Sequence, residues 1–259
     1  MVYTHLKPHE VLFTLADTQV VILAGGLATR LGHLTKDLPK SLVEIQGRPF
    51  LEYQLDLLRR AGIRNIVLCV GYLGEKIEGY CGDGRKHGVN ICYSYDDTPL
   101  GTAGALKNAA SLLNDTFCCM YGDSYLSVDF PAVMRYFEAQ DKLALMTVFK
   151  NHDRFDKSNT AVEGNIVSRY DKQARLPKLR RSGEQEKTRE MAYIDYGVSI
   201  LRKRTLDMVP DGRFYSLEDL FPRLIALQEL LAYEVTERFY EIGSPQGFTE
   251  FNEYVKGVR

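Results

Sequence analysis

What this sequence lacks first is an excess of charge of either sign. Its 259 residues hold 33 Lys and Arg against 34 Asp and Glu, a net charge of −1, so no global basic field exists to hold a nucleic acid or an anionic membrane. Any phosphate must therefore be bound locally. Long apolar runs are also missing: Val20-Val21-Ile22-Leu23-Ala24 is representative, far short of the roughly 20 residues that cross a bilayer. The stretch from Val11 to Ala16 is bounded by Glu10 and Asp17 and is too short and too closely flanked by acid for a signal-peptide core, so a cytoplasmic protein is expected. Cysteine is sparse. The five residues Cys69, Cys81, Cys92, Cys118 and Cys119 form no CxxC pair and mostly sit in apolar runs, which predicts buried, reduced thiols rather than a metal site.

What is present is a globular composition, 45% hydrophobic and 26% charged, which excludes disordered, collagenous and coiled-coil chains. No repeat or linker is visible. The expected organisation is an N-terminal extension over 1–18 and a single domain over 19–259. Short β-branched runs at Gln19 to Ala24, Asn65 to Val70, Val89 to Tyr95 and Thr116 to Tyr121 alternate with segments of helical period. That pattern predicts a Rossmann-like α/β fold, a mostly parallel sheet flanked by helices. Pro49 starts one helix, with Phe50, Leu51, Leu55, Leu58 and Ala61 as its apolar stripe; Ala103 to Leu113 reads as another. Beyond about Asp141 the runs Lys142 to Phe149, Asn165 to Tyr170 and Ala192 to Leu201 have little helix between them, suggesting antiparallel additions. The part over 141–259 reads as a substrate-binding elaboration on that over 19–140. Asp171 to Glu190, rich in Lys, Arg, Glu and Gln, reads as an exposed loop or flap.

The first strand runs into Gly25-Gly26-Leu27-Ala28-Thr29-Arg30-Leu31. Paired glycines let backbone N–H groups approach an anion, although neither GxxxxGK[ST] nor GxGxxG is matched. Pro39-Lys40 can fold back to place a second cation beside Arg30, and two cations on a glycine turn suit a polyphosphate.

The longer string decides the reading. Leu23 to Leu31, Leu34-Thr35 and Leu38-Pro39-Lys40-Ser41-Leu42-Val43, followed by Pro99-Leu100-Gly101-Thr102-Ala103-Gly104, Tyr121-Gly122-Asp123, Tyr170-Asp171-Lys172, Tyr196-Gly197 and Glu241-Ile242-Gly243-Ser244-Pro245, resemble the sugar-1-phosphate nucleotidyltransferases, the NDP-sugar pyrophosphorylases. The wording Leu-Gly-Thr-Ala-Gly-Ala-Leu is most similar to guanylyltransferases acting on mannose or heptose 1-phosphate. The resemblance implies a GT-A-like fold and a Mg²⁺-dependent reaction of an NTP, GTP favoured, with a sugar 1-phosphate. It further implies that Leu23, Ala24, Gly25, Gly26, Thr29, Arg30, Lys40, Gly101 and Thr102 bind the nucleotide, with Arg30, Lys40 and Asp123 catalytic. Asp123 and Glu241 would hold the metal, and Asn159, Asp171, Lys172, Asp195 and Gly197 the sugar phosphate. Three positions depart from the family: Ala28 and Asp195 replace its usual Gly and Asn, and Glu241 its usual Asp. No catalytic His is implied, and His5, His9, His33, His87 and His152 are read as surface or loop residues. The NTP and sugar phosphate are the expected partners, with no nucleic acid and no membrane; a homo-oligomer remains open. The alternatives are a cytidylyl- or uridylyltransferase acting on another phosphate, a non-catalytic nucleotide-binding subunit, and a GT-A glycosyltransferase. The last is disfavoured because Asp123-Ser124-Tyr125 lacks the second acid of an Asp-x-Asp site.

Overall fold

The computed structural model describes residues 17–26, 37–172 and 191–258. Its first half comprises β1 (Gln19–Leu23), β2 (Glu44–Ile45), β3 (Arg48–Pro49), α1 (Phe50–Arg60), β4 (Asn65–Val70), α2 (Gly74–Cys81), β5 (Asn90–Tyr95), α3 (Gly101–Asn108), β6 (Thr116–Tyr121), β7 (Ser124–Tyr125) and α4 (Phe130–Glu138). There follow β8 (Ala144–Lys150), β9 (Thr160–Glu163), β10 (Ile166–Tyr170), β11 (Tyr193–Arg202), α5 (Leu217–Ala226), β12 (Leu230–Val235), β13 (Tyr240–Glu241) and α6 (Pro245–Val258).

A nine-stranded sheet in the order β5-β4-β1-β6-β11-β8-β12-β10-β9 forms the centre. The first four strands are parallel. β11 runs antiparallel to both β6 and β8, and β10 antiparallel to β12 and β9, as the second half of the sequence suggests; β12, however, pairs with β8 in parallel. The whole sheet is therefore mixed, and its parallel character belongs to the first half.

Strand side chains alternate between two cores, which is why the central runs are apolar throughout. Val20 and Ile22 of β1, with Ile66 and Leu68 of β4, face Leu51, Leu55 and Leu58 of α1, Ile77 of α2 and Phe137 of α4. Val21, Val67 and Cys119 point the other way, toward Ala103 and Leu106 of α3 and Leu220, Phe221 and Leu224 of α5. A third cluster, Ile45, Phe50, Ile242, Phe251 and Val255, seats α6 beside α1.

Several boundaries differ from the sequence reading. Pro49 ends β3 and stands before α1 rather than within it. The helix expected over Ala103 to Leu113 begins at Gly101, stops at Asn108 and tightens into a 3₁₀ turn over Ala109–Leu112. Cys69, Cys81, Cys118 and Cys119 are buried as expected, but Cys92 is exposed on β5, the edge strand. His87 is mostly shielded, lying near Glu52. Among the described residues no helix is long and apolar enough to cross a membrane.

Candidate active site

The strand order reverses at β1, where β4 leads to one edge and β6 begins the other side. Such a switch point opens a crevice at the carboxyl ends of the strands. Here backbone meets backbone. Ala24 N–H donates to the Cys69 carbonyl at 2.8 Å and Gly122 N–H to the Leu23 carbonyl at 3.0 Å. A Cβ on Gly25 would stand 3.2 Å from Gly71 N, and one on Gly122 would stand 2.7 Å from the Leu23 oxygen. Glycine at 25, 71 and 122 thus lets three strand ends close together beneath the loop. Leu23, Ala24, Gly25 and Gly26 lie at and just beyond the end of β1; Thr29 and Arg30, with Ala28, lie outside the described residues, as do His5, His9 and His33.

Asp123 follows β6 and faces Lys40, whose Nζ is 2.9 Å from Asp123 Oδ2. Lys40 itself begins a 3₁₀ turn, Lys40–Leu42, that leads into the β2–β3 hairpin. Opposite them, β13 pairs with β7, setting Glu241 across from Ser124. Asp123 Oδ2, Lys40 Nζ and Glu241 Oε2 all lie within 3.2 Å of the point where a Cβ on Gly243 would stand. Two expected catalytic groups and both expected metal ligands therefore converge. Glu241 has further work: its carboxylate accepts from the backbone N–H groups of Gly243 and Ser244 and from the Ser244 hydroxyl, so it holds the turn before α6, which Ser244 caps by accepting from Gly247 N–H at 3.0 Å.

Among the described residues no group of three His, Cys, Asp or Glu side chains is placed to hold a metal. The pair Asp123 and Glu241 still fits Mg²⁺. That ion keeps several waters and takes one or two carboxylates alongside phosphate oxygens, rather than an all-protein cage.

Of the residues expected to bind the nucleotide, Gly101 has φ +72°, and a Cβ there would stand 2.7 Å from the Tyr215 carbonyl. Its close approach is thus to the chain's own backbone. The Thr102 hydroxyl oxygen accepts from Leu217 N–H at 2.7 Å, so its side chain is committed to opening α5, and the hydroxyl proton is what it can still offer a ligand.

The other half of the crevice gathers around Asp195. Its backbone N–H donates to Asn159 Oδ1 at 2.9 Å, and its Oδ1 accepts from Gly197 N–H at 2.9 Å. Asn159 also accepts through its backbone carbonyl from Asp171 N–H at 2.8 Å, so this buried residue orders its neighbours rather than presenting its oxygen to solvent. Burial pushes the Asp195 carboxyl above its ordinary value, against the pull of Lys172 and the Gly197 N–H. The buried Tyr170 hydroxyl lies near it, beyond ordinary hydrogen-bond geometry, and the same carboxylate helps burial to raise that phenol. Lys172 Nζ stands 3.2 Å from Glu218 Oε1. The remainder of the expected flap, 173–190, lies outside the described residues.

Two supporting residues escape a reading by motif. Gln54 is fully buried on α1, and its Nε2 donates to the Tyr121 and Ser124 carbonyls, both at 2.8 Å, bracing the turn that carries Asp123. Its signal in the sequence is a polar residue on the apolar stripe of α1. Glu218, in the first turn of α5, carries no motif beyond an acidic residue after an N-cap serine.

Together, a mixed α/β sheet, a glycine-lined crevice at its strand ends and a lysine paired with a carboxylate define a nucleotide-handling α/β protein. A family profile described as nucleotidyl transferase matches residues 19–255, and the chain belongs to that family. The D-glycero-alpha-D-manno-heptose 1-phosphate guanylyltransferase of Campylobacter jejuni is 29% identical over 233 residues, covering 90% of this chain and 98% of its own. The mannose-1-phosphate guanyltransferase of Yarrowia lipolytica is 32% identical over 233 residues, covering 88% of this chain and 61% of its own. Among solved structures, HddC from Yersinia pseudotuberculosis superposes with a TM-score of 0.74 at 25% identity, over 92% of this chain and 99% of that one.

Proposed function

We propose that this protein condenses a nucleoside triphosphate, GTP in preference, with a mannose- or heptose-like sugar 1-phosphate, giving an NDP-sugar and pyrophosphate. The observation that carries the reading is the Lys40–Asp123 pair at 2.9 Å, held beside strand ends so close that a Cβ on Gly122 would stand 2.7 Å from the Leu23 oxygen. The similarity to the heptose and mannose guanylyltransferases favours the substrates named.

In this reaction an oxygen of the sugar phosphate bonds to the α-phosphorus, the bond from that phosphorus to the bridging oxygen breaks, and the electron pair leaves on pyrophosphate. A phosphate monoester has a second pKa of about 6 and is largely dianionic at neutral pH, so no side chain need remove a proton. The task of the chain is alignment and charge neutralisation. Lys40 would bind the triphosphate, and Lys172 the phosphate of the acceptor. Asp123 and Glu241 would hold a Mg²⁺ ion, which when bound supplies neutralisation of the phosphate oxygens. Asp195, braced by Asn159 and Gly197, would accept a hydrogen bond from a sugar hydroxyl.

The test is pyrophosphate release with Mg²⁺, each of the four NTPs or dTTP, and a panel of sugar 1-phosphates. Release that needs both substrates and is fastest with GTP is expected. Binding of NTP without release for any pair refutes the reading.

A further inference from the structure

Among the described residues, the acceptor half of the crevice brings charged groups of both signs together. Lys172 Nζ lies 3.2 Å from Glu218 Oε1 and 5.2 Å from the centre of the Tyr121 ring. Both Lys172 and Glu218 act electrostatically on Asp195. The Lys172 ammonium is thus paired with the Glu218 carboxylate beside an aromatic face, near enough to Asp195 for its charge to be felt there. Glu218 is brought there by a rigid first turn: Ser216 and Asp219 form a reciprocal capping box, and Leu217 N–H donates to Thr102 Oγ1 at 2.7 Å. A carboxylate carried on so fixed a turn, with an ionic partner that a phosphate would draw away, is placed to meet the acceptor.

We propose that Glu218 is a specificity-determining residue for the acceptor. It restricts that substrate to a sugar phosphate whose ring carries uncharged or cationic hydrogen-bond donors, and it rejects one bearing a second anionic group such as a uronate. An ionised carboxylate only accepts hydrogen bonds, so Glu218 pairs with hydroxyl or ammonium groups. When Lys172 turns to the ester phosphate, Glu218 loses its ammonium partner and gains a hydroxyl in exchange. A ring carboxylate offers no such exchange and meets like charge, which is discrimination through repulsion. The assignment rests on the nucleotidyltransferase reading above.

The experiment compares wild type with Glu218→Gln and Glu218→Asp, using mannose 1-phosphate and mannuronic acid 1-phosphate as acceptors and GTP as donor. Wild type is expected to favour the neutral sugar by at least about 30-fold in kcat/KM, the scale of one misplaced charge near a surface. Glu218→Gln should shrink that preference by at least about 5-fold and raise the acceptor KM, with the GTP KM within about 2-fold of wild type. Glu218→Asp, which keeps the charge, should retain most of the preference. Unchanged selectivity in Glu218→Gln, or equal shifts in both KM values, overturns the assignment while wild-type turnover keeps the underlying reaction. No wild-type turnover with any sugar phosphate overturns both.

Discussion

The turn that carries Asp123 hangs on one buried amide. Gln54 is 0% exposed, and its Nε2 spends both protons on the Tyr121 and Ser124 carbonyls. Gln54→Leu keeps the volume and removes both donors. Leaving a buried carbonyl unpaired costs about 1–3 kcal/mol, and two are involved. Part of this is offset, because Gln54 Oε1 is itself buried without a partner and leucine removes that penalty. The net loss is about 1–3 kcal/mol, which for a chain of this size lowers Tm by about 2–4 °C per kcal/mol.

The larger effect falls on turnover. If the carbonyls relax outward, Asp123 shifts with them, and a displacement of about 1 Å at a reacting centre costs on the order of 100-fold in rate. Denaturant midpoints measure the first effect and steady-state pyrophosphate release the second. Gln54→Glu serves as the control, since a carboxylate has no proton for either carbonyl and should destabilise more at neutral pH than at pH 5. A variant that loses stability yet keeps wild-type kcat would show that Gln54 supports the fold without positioning Asp123, and the reasoning fails.

Asp123→Ala should lower pyrophosphate release at least about 1000-fold while moving Tm by less than about 4 °C, because its half-exposed pair with Lys40 is worth at most about 1 kcal/mol. Gly122→Ala would press a methyl within 2.7 Å of the Leu23 oxygen and 3.0 Å of Ala24 Cα; the expected cost is about 1–3 kcal/mol, with the NTP KM raised at least tenfold, and an unchanged KM counts against the crevice. Asp195→Asn removes a carboxyl whose pKa burial raises. The native state there holds the proton that the unfolded chain releases, so stability falls as pH rises above the ordinary value of 3.8. The variant should therefore melt higher than wild type at pH 7, with the gap closing toward pH 4, while the acceptor KM rises; equal melting at both pH values refutes the burial argument.

How much of this was legible follows from which forces leave a pattern. β1, β4 and β6 announce themselves because both of their faces are buried, and the stripe of α1 because one face is. The crevice is visible through glycine, since Gly25 and Gly122 sit where chain meets chain. Asp123, Lys40 and Glu241 converge, although no spacing reveals that Glu241 also holds the turn before α6. Other elements escaped a periodicity reading. α2 starts after Leu73 at φ +60° and contains two glycines, so its apolar face shrinks to Ile77 and Cys81. α4 and α5 carry local signals instead, in Asp129 accepting from Ala132 N–H and in the capping box of Ser216 and Asp219. Gln54 is invisible to any motif because its work is tertiary.

The two halves of the crevice are joined through the first turn of α5. Gly101 and Gly104 give way to the backbone of 213–215, Gly104 N–H donates to the Tyr215 carbonyl at 2.8 Å, and Thr102 accepts from Leu217. One residue further on, Glu218 holds Lys172. Gly101 and Lys172 are thus joined by backbone hydrogen bonds to Tyr215, the Thr102 hydroxyl, one helical turn and an ion pair. The same core that buries α3 buries α5, with Cys119 and Met146 contributed from strands on either side of the expected division at 140. This shared core ties the strands before and after 140 to the same pair of helices.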